Sequence, residues 1–179
     1  DATEVSKSLD RISAVIGHLR ELGATRETTL LAVGGGTIQD VACFAASVYM
    51  RGIKWVYVPT TLLGMADSCI GGKSSINVGL HKNIVGTFHP PKLVQVDPAL
   101  CETLNVEQRV AGLCEAAKIC FARDPAVFAD YMNLRPGLES GTEQLTKVVE
   151  LSLRAKKWFI EIDEFDAAER LLLNFGHTF

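Results

Sequence analysis

The stretch Thr29-Leu30-Leu31-Ala32-Val33-Gly34-Gly35-Gly36, continued by Asp40-Val41-Ala42-Cys43-Phe44-Ala45-Ala46-Ser47-Val48-Tyr49, reads as a short apolar strand, a glycine turn and a helix. Further β-rich runs follow at 54–58, closed by Pro59-Thr60-Thr61, and at 93–96, closed by Asp97-Pro98. Upstream, from Val5 to Leu22, apolar residues recur at the spacing of one amphipathic helix (Leu9, Ile12, Val15, Ile16, Leu19 and Leu22), with Gly23 where a C-terminal cap belongs. Strands that alternate with helices imply a parallel sheet, because a parallel pair needs a crossover connection. The expected architecture is an α/β nucleotide-binding layer.

After Pro98 the strand signal ends, and helical stretches are expected at 106–121, 125–132 and 142–159, punctuated by Arg135-Pro136-Gly137 and an acidic link at 161–164. A domain boundary is therefore placed between residues 97 and 98. The chain has 179 residues, 47% apolar and 22% charged, which suits a globular protein with a sizeable core and excludes a disordered tail. Lys+Arg 18 against Asp+Glu 21 leaves a net charge of −3, with no basic stripe to argue for nucleic acid. Apolar runs break well before the roughly 18 residues of a membrane helix, so no membrane partner is expected. Five cysteines without a C-x-x-C pair read as reduced thiols, and the expected compartment is the cytoplasm.

Gly34-Gly35-Gly36 lets backbone N–H groups approach a phosphate at a helix N-terminus, although a simple tight turn has the same composition. Residues 59–91 concentrate Thr60, Thr61, Asp67, Ser68, Gly71, Gly72, Lys73, Asn77, Lys82, Asn83, Gly86 and His89 among apolar neighbours. A loop so long and so rich in donors is expected to be functional, and its lysines and aspartate suit a phosphorylated or carboxylated substrate. Glu115 and Lys118 lie three apart, on one helix face flanked by small residues, as a surface ion pair also would. Glu115 with a distant His177 would suit zinc, yet two ligands do not complete a catalytic site. His18, His81 and His89 have no partner pattern and read as structural or surface residues.

Taken in order, Gly34-Gly35-Gly36 with Asp40, Tyr49-Met50-Arg51-Gly52, Val58-Pro59-Thr60-Thr61-Leu62-Leu63, Asp67-Ser68 and Gly71-Gly72-Lys73 resemble the 3-dehydroquinate synthases, which are sugar-phosphate cyclases of the shikimate pathway. The resemblance continues through Lys82-Asn83, Gly86-Thr87-Phe88-His89, the Ala111-Gly112-Leu113-x-Glu115-x-x-Lys118 helix, Lys156, Asp163-Glu164 and residues 170–179. It implies a Rossmann-like NAD-binding part at 1–97, followed at 98–179 by the start of an all-helical metal- and substrate-binding domain. NAD would contact Glu4, Lys7, Gly35, Gly36, Thr37, Ile38, Asp40, Thr60, Thr61, Lys73, Lys82, Leu100 and Thr103. Glu115 and His177 would bind Zn²⁺ or Co²⁺, with a third ligand expected beyond Phe179. Asp67, Lys73, Lys82, Asn83, Lys118, Lys156, Arg170 and Asn174 would serve the substrate, and Arg51 would reach the phosphate site of a second subunit in a homodimer.

The implied reaction converts 3-deoxy-arabino-heptulosonate 7-phosphate to 3-dehydroquinate by transient NAD oxidation, phosphate elimination, re-reduction and aldol closure, a step toward aromatic amino acids. Its net class is a carbon–oxygen lyase. Gln39, Cys43 and residues 74–81 depart from the family pattern and leave open a sister cyclase acting on sedoheptulose 7-phosphate or glucose 6-phosphate. Two further readings compete with the cyclases: an iron-type NAD-dependent alcohol dehydrogenase, and a catalytically inactive NAD-binding module. The chain is expected to be part of a longer protein, with a sheet segment ahead of residue 1.

Overall fold

The computed structural model describes residues 3–176. Helix α1 (Leu9–Glu21) begins after Ser8 and ends where Gly23 adopts φ +75°, the left-handed geometry expected of its cap. Strand β1 (Thr29–Gly34) leads into α2 (Gly36–Val48), and β2 (Lys54–Pro59) follows a tight turn at Tyr49–Arg51. A short antiparallel pair, β3 (Ile76–Val78) and β4 (His81–Val85), precedes β5 (Leu93–Val94). The main sheet has the order β1-β2-β5 and is parallel throughout, as the alternation of strands and helices implies. Helix α2 starts at the glycine turn itself, four residues before the expected start at Asp40. Glycines hide a helix from a hydrophobic pattern.

Register aligns Leu31 with Val56 and Val56 with Leu93, so these side chains form a row on one face of the sheet. On the other face Trp55 and Tyr57 are fully enclosed, while Leu31 and Leu93 are 61% and 56% exposed. Ile12 on α1, Phe44 on α2 and Ile76 on β3 form a second apolar cluster, joined by Ile16, Val41 and Val85.

After Asp97-Pro98 the chain is helical. Helix α3 (Val106–Arg123) opens with a reciprocal cap, in which Gln108 N–H donates to Asn105 Oδ1 at 2.9 Å and Asn105 N–H to Gln108 Oε1 at 3.2 Å. Helix α4 (Pro125–Asn133) starts with proline after the capping carboxylate of Asp124, and α5 (Thr142–Ile162) is the longest element. Ile119, Ala155, Phe159 and Leu173 pack into one apolar cluster with Ala122 and Val127.

The chain divides into two compact units, and a single cut at residue 97 does not describe them. The first runs to Pro59 and resumes at Gly72–Val96; the second takes Thr60–Gly71 together with the chain from Asp97 onward. Thr60–Gly71 belongs with the helices because Leu62 is pressed against Gly112, and Ser152 Oγ donates to Ala66 O at 2.8 Å. Nothing in its composition announces this. Residues 59–91 are accordingly a π-helical turn at Gly64–Ser68 and the β3/β4 hairpin, rather than one long loop.

Candidate functional site

In the first unit, Gly35 occupies the N-cap of α2 and supplies no capping side chain. A Cβ placed on Gly36 would meet nothing within 4 Å, whereas one on Gly34 would fall 2.6 Å from Ile38 Cγ1. Gly34 is therefore required by packing, and Gly35-Gly36 leaves the first turn of a 13-residue helix open to an anion. Thr37 and Ile38 continue that turn half-buried. The arrangement suits an anionic ligand such as a phosphate.

Beside it, Lys7 gathers three other expected residues. Its Nζ donates to Asp40 Oδ2 at 3.0 Å and to Asn83 Oδ1 at 2.8 Å, and lies 3.6 Å from Glu4 Oε1. Ser75 N–H reaches Asp40 Oδ1 at 2.9 Å, and Asn77 Nδ2 reaches Glu4 Oε1 at 2.9 Å. Burial raises the Asp40 carboxyl above its ordinary range, and the Lys7 charge works against that rise. Glu4 is lowered, first by the Asn77 hydrogen bond. Ser75 and Asn77 are not among the residues expected to touch the cofactor; the polar run of residues 74–77 is the signal that points to them.

In the second unit, the ion pairs Glu115–Lys118 and Asp67–Lys156 are largely enclosed, unlike the exposed helical pairs Glu143–Lys147 and Glu150–Arg154. Lys118 Nζ sits 2.7 Å from Glu115 Oε1 and donates to Leu173 O at 2.6 Å, so the i,i+3 pair is partly enclosed rather than a solvated surface pair. Lys156, 5% exposed, donates to Asp67 Oδ1 at 2.6 Å and to Asp67 O at 2.7 Å. Arg170, 2% exposed, donates from Nη1 to Glu164 O at 2.6 Å, and its Nε lies 3.9 Å from Asp166 Oδ1. Asn174 Nδ2 reaches Asp166 Oδ2 at 3.4 Å. Thr61 Oγ1 accepts Gly64 N–H at 3.1 Å, which ties it to the turn bearing Asp67.

The remaining expected residues sit elsewhere. Lys73 and Lys82 are exposed in the first unit, with Lys73 bridged through its backbone to Phe88. Thr60 precedes Thr61 half-buried, and Leu100 and Thr103 lie exposed in the 3-10 turn Pro98–Thr103. Arg51 is exposed on a turn where Met50 and Arg51 adopt φ +49° and +67°, and it lines a cavity of about 410 Å³ with Arg26, Lys54 and Lys92. His89 is structural, its Nε2 bonded to Ile53 O at 2.9 Å. His177 lies outside the described residues, and among those described no three His, Cys, Asp or Glu are placed to hold a metal. All five cysteines are free thiols, and burial pushes Cys43 and Cys120 up to about 11 and Cys69 to about 12, far from a nucleophilic thiolate.

Known proteins resemble this chain in sequence and in fold. The family model for the N-terminal part of 3-dehydroquinate synthase matches residues 1–111, and that for its C-terminal part matches residues 112–179. A curated 3-dehydroquinate synthase of Xylella fastidiosa (strain 9a5c) is 44% identical over 99% of this chain and 45% of its own length. The chain spans about half the length of the curated relatives it matches. A crystal structure of 2-deoxy-scyllo-inosose synthase, complexed with carbaglucose-6-phosphate, NAD⁺ and Co²⁺, superposes with TM-score 0.87 at 29% identity, covering 98% of this chain and 48% of that one. The 2-epi-5-epi-valiolone synthase of Streptomyces hygroscopicus subsp. jinggangensis 5008, with NAD⁺ and Zn²⁺ bound, gives TM-score 0.85 at 30% identity over 100% and 51%. An iron-containing alcohol dehydrogenase, 17% identical with TM-score 0.60 over 84% and 48%, shares the fold alone. With both family models matched end to end across the two units, the chain belongs to the 3-dehydroquinate synthase family.

Proposed function

We propose that the protein is a 3-dehydroquinate synthase, a phosphate-eliminating cyclase of 3-deoxy-arabino-heptulosonate 7-phosphate that uses NAD and a divalent metal, and works as a cytoplasmic homodimer. The observation that carries this reading is the 44% identity to a curated 3-dehydroquinate synthase over nearly the whole chain. The open first turn of α2 fits the NAD pyrophosphate, with Glu4, Lys7, Asp40 and Asn83 beside it. When bound, NAD supplies a hydride acceptor at the start of the cycle and returns the hydride later, so no net oxidation results. Glu115 offers an oxygen donor suited to Zn²⁺ or Co²⁺, with His177 as the other ligand proposed from this chain. One described carboxylate does not build a metal site, and the charged side chains around it carry the remaining chemistry.

Lys118, Lys156 and Arg170 face an anionic substrate with positive charge, and a guanidinium fits a carboxylate or phosphate with two parallel hydrogen bonds. The Asp67 carboxylate holds the Lys156 ammonium at 2.6 Å, which keeps that cation oriented. Lys73 and Lys82, both exposed, are assigned to phosphate. Together these groups offset the charge that develops as phosphate leaves. A sister cyclase is the second reading, because the solved structures similar to this chain include cyclases named for other products.

The full-length protein should release phosphate from the heptulosonate phosphate with catalytic NAD, and turn over sedoheptulose 7-phosphate or glucose 6-phosphate far more slowly. Preference for either of those sugars would move the assignment to a sister cyclase. Stoichiometric NADH from a simple alcohol would replace both with a dehydrogenase.

A further inference from the structure

Asp163 closes α5 and accepts three backbone N–H groups with one carboxylate. Ala167 N–H reaches Oδ1 at 2.9 Å, while Ala168 and Arg170 N–H reach Oδ2 at 2.7 and 3.0 Å. The side chain is buried, and these hydrogen bonds, led by that from Ala167, hold its carboxyl below the usual range. The turn it binds is strained: Asp166, not a glycine, sits at φ +59°. Such a conformation persists only where its surroundings fix it.

Arg170 emerges from this turn with its guanidinium enclosed. Its ion pair with Asp166 is loose at 3.9 Å, and its bonds are to neutral carbonyls, Glu164 O at 2.6 Å and Gly71 O at 3.5 Å. A buried guanidinium so placed has charge to spare for an incoming anion. The path is narrow. Gly71, at φ +93°, has no room for a Cβ, which would fall 2.2 Å from Arg170 Nη2. Asp163 grips the peptide of Arg170, and its charge also attracts the guanidinium, whose hydrogen bonds go to neutral carbonyls.

We propose that Asp163 is a positioning residue for substrate binding: by fixing the backbone of residues 167–170 it aims the Arg170 guanidinium at the carboxylate or phosphate of the substrate. The inference rests on the cyclase reading for the identity of that anion, but the positioning itself is measurable without it.

The test uses the full-length enzyme with Asp163→Asn, Asp163→Ala and, as a control cap elsewhere, Asp124→Ala. Asp163→Ala should raise KM for the heptulosonate phosphate about tenfold, as expected when buried donors lose their acceptor, with kcat within about threefold. Asp163→Asn, which keeps one acceptor oxygen, should fall between and carries the test if the alanine variant does not fold. Phenylglyoxal should label Arg170 about tenfold faster in both variants, with other arginines unchanged, because the enclosed guanidinium is released. Asp124→Ala should lower the melting temperature without moving KM or labelling. Unchanged KM and labelling at Asp163 would overturn the proposal, as would a loss of thermal stability alone. A wild type that turns over no sugar phosphate would sink the cyclase reading, and Arg170 labelling would then decide the positioning claim by itself.

Discussion

Lys7 and Asp40 meet through a 3.0 Å hydrogen bond across 33 positions of sequence, with side chains only 8% and 18% exposed. Replacing Lys7 by Met keeps the aliphatic stem but leaves a largely buried carboxylate without its cation, which should cost about 3 kcal/mol at neutral pH. The sign with pH follows from Asp40, whose folded pKa already lies above 3.8 and would rise further without Lys7. An acid with a raised folded pKa loses stabilisation as pH climbs through that value. The deficit of Lys7→Met should therefore shrink toward pH 3 and grow toward pH 7 in denaturant titrations. A deficit constant across that range would show that the charge pair is not its source.

Gly36→Ala separates fold from function at the α2 turn. A Cβ there meets nothing within 4 Å, and alanine in a helix loses less entropy than glycine, so the variant should be more stable by about 0.5 kcal/mol. The same methyl narrows the approach of a phosphate to the helix N-terminus. NAD affinity, measured by fluorescence or calorimetry on the full-length protein, should fall by about tenfold. Affinity equal to the wild type would mean that the dinucleotide lies elsewhere.

Gly112 illustrates the opposite case. A Cβ on this residue would lie 2.5 Å from Leu62 Cγ and 2.8 Å from the Leu62 carbonyl carbon, contacts that a rotamer change alone does not relieve. Gly112→Ala should destabilise the second unit by about 2 kcal/mol through overpacking. Thermal melts followed by helix content would register the loss, whereas an unchanged melting temperature would mean that α3 shifts freely relative to Thr60–Gly71.

What the sequence revealed depended on the kind of signal each residue sends. The β1 run and the glycine turn are local, and the parallel sheet and the three later helices follow from periodicity. The expected bounds of those three helices fall short by one to three residues at their C-terminal ends, where the apolar pattern fades, whereas the first helix starts at Leu9 rather than Val5. The assignment of Thr60–Gly71 to the second unit rests on Leu62 against Gly112, a contact that no local rule encodes. The Lys7 network is legible through family resemblance for Glu4, Lys7, Asp40 and Asn83. Ser75 and Asn77 complete it, and only the donor-rich composition of the stretch around residues 74–77 points to them. The part Asp163 plays is equally silent, since a carboxylate that binds backbone amides has no partner side chain to be paired with in sequence.

Glu115 and Lys118 should separate metal binding from turnover. Glu115→Gln replaces a charged oxygen donor by a weaker neutral one, so the full-length protein should lose tight binding of Zn²⁺ or Co²⁺ in equilibrium dialysis. Lys118→Ala should retain the metal and lower kcat by about a hundredfold, the loss expected when one charge-stabilising donor is removed. If both variants kept full metal content and activity, the 2.7 Å pair would be a structural feature of α3.

Arg51 should act on a second subunit. Its turn is fixed by an unusual backbone, with Met50, Arg51 and Gly52 at φ +49°, +67° and +116°, and by Arg26 Nε donating to Met50 O at 3.2 Å. The side chain is exposed, and the cavity it shares with Arg26, Lys54 and Lys92 has no carboxylate among its lining residues. An extended guanidinium held this way can grip a phosphate across a two-fold interface. Mixing full-length Arg51→Ala subunits with Lys118→Ala subunits, each strongly impaired alone, distinguishes the arrangements. If Arg51 serves its neighbour, each mixed dimer has one intact site, and random exchange should restore about a quarter of wild-type activity. If Arg51 serves its own chain, every site in the mixture carries one defect and no activity returns.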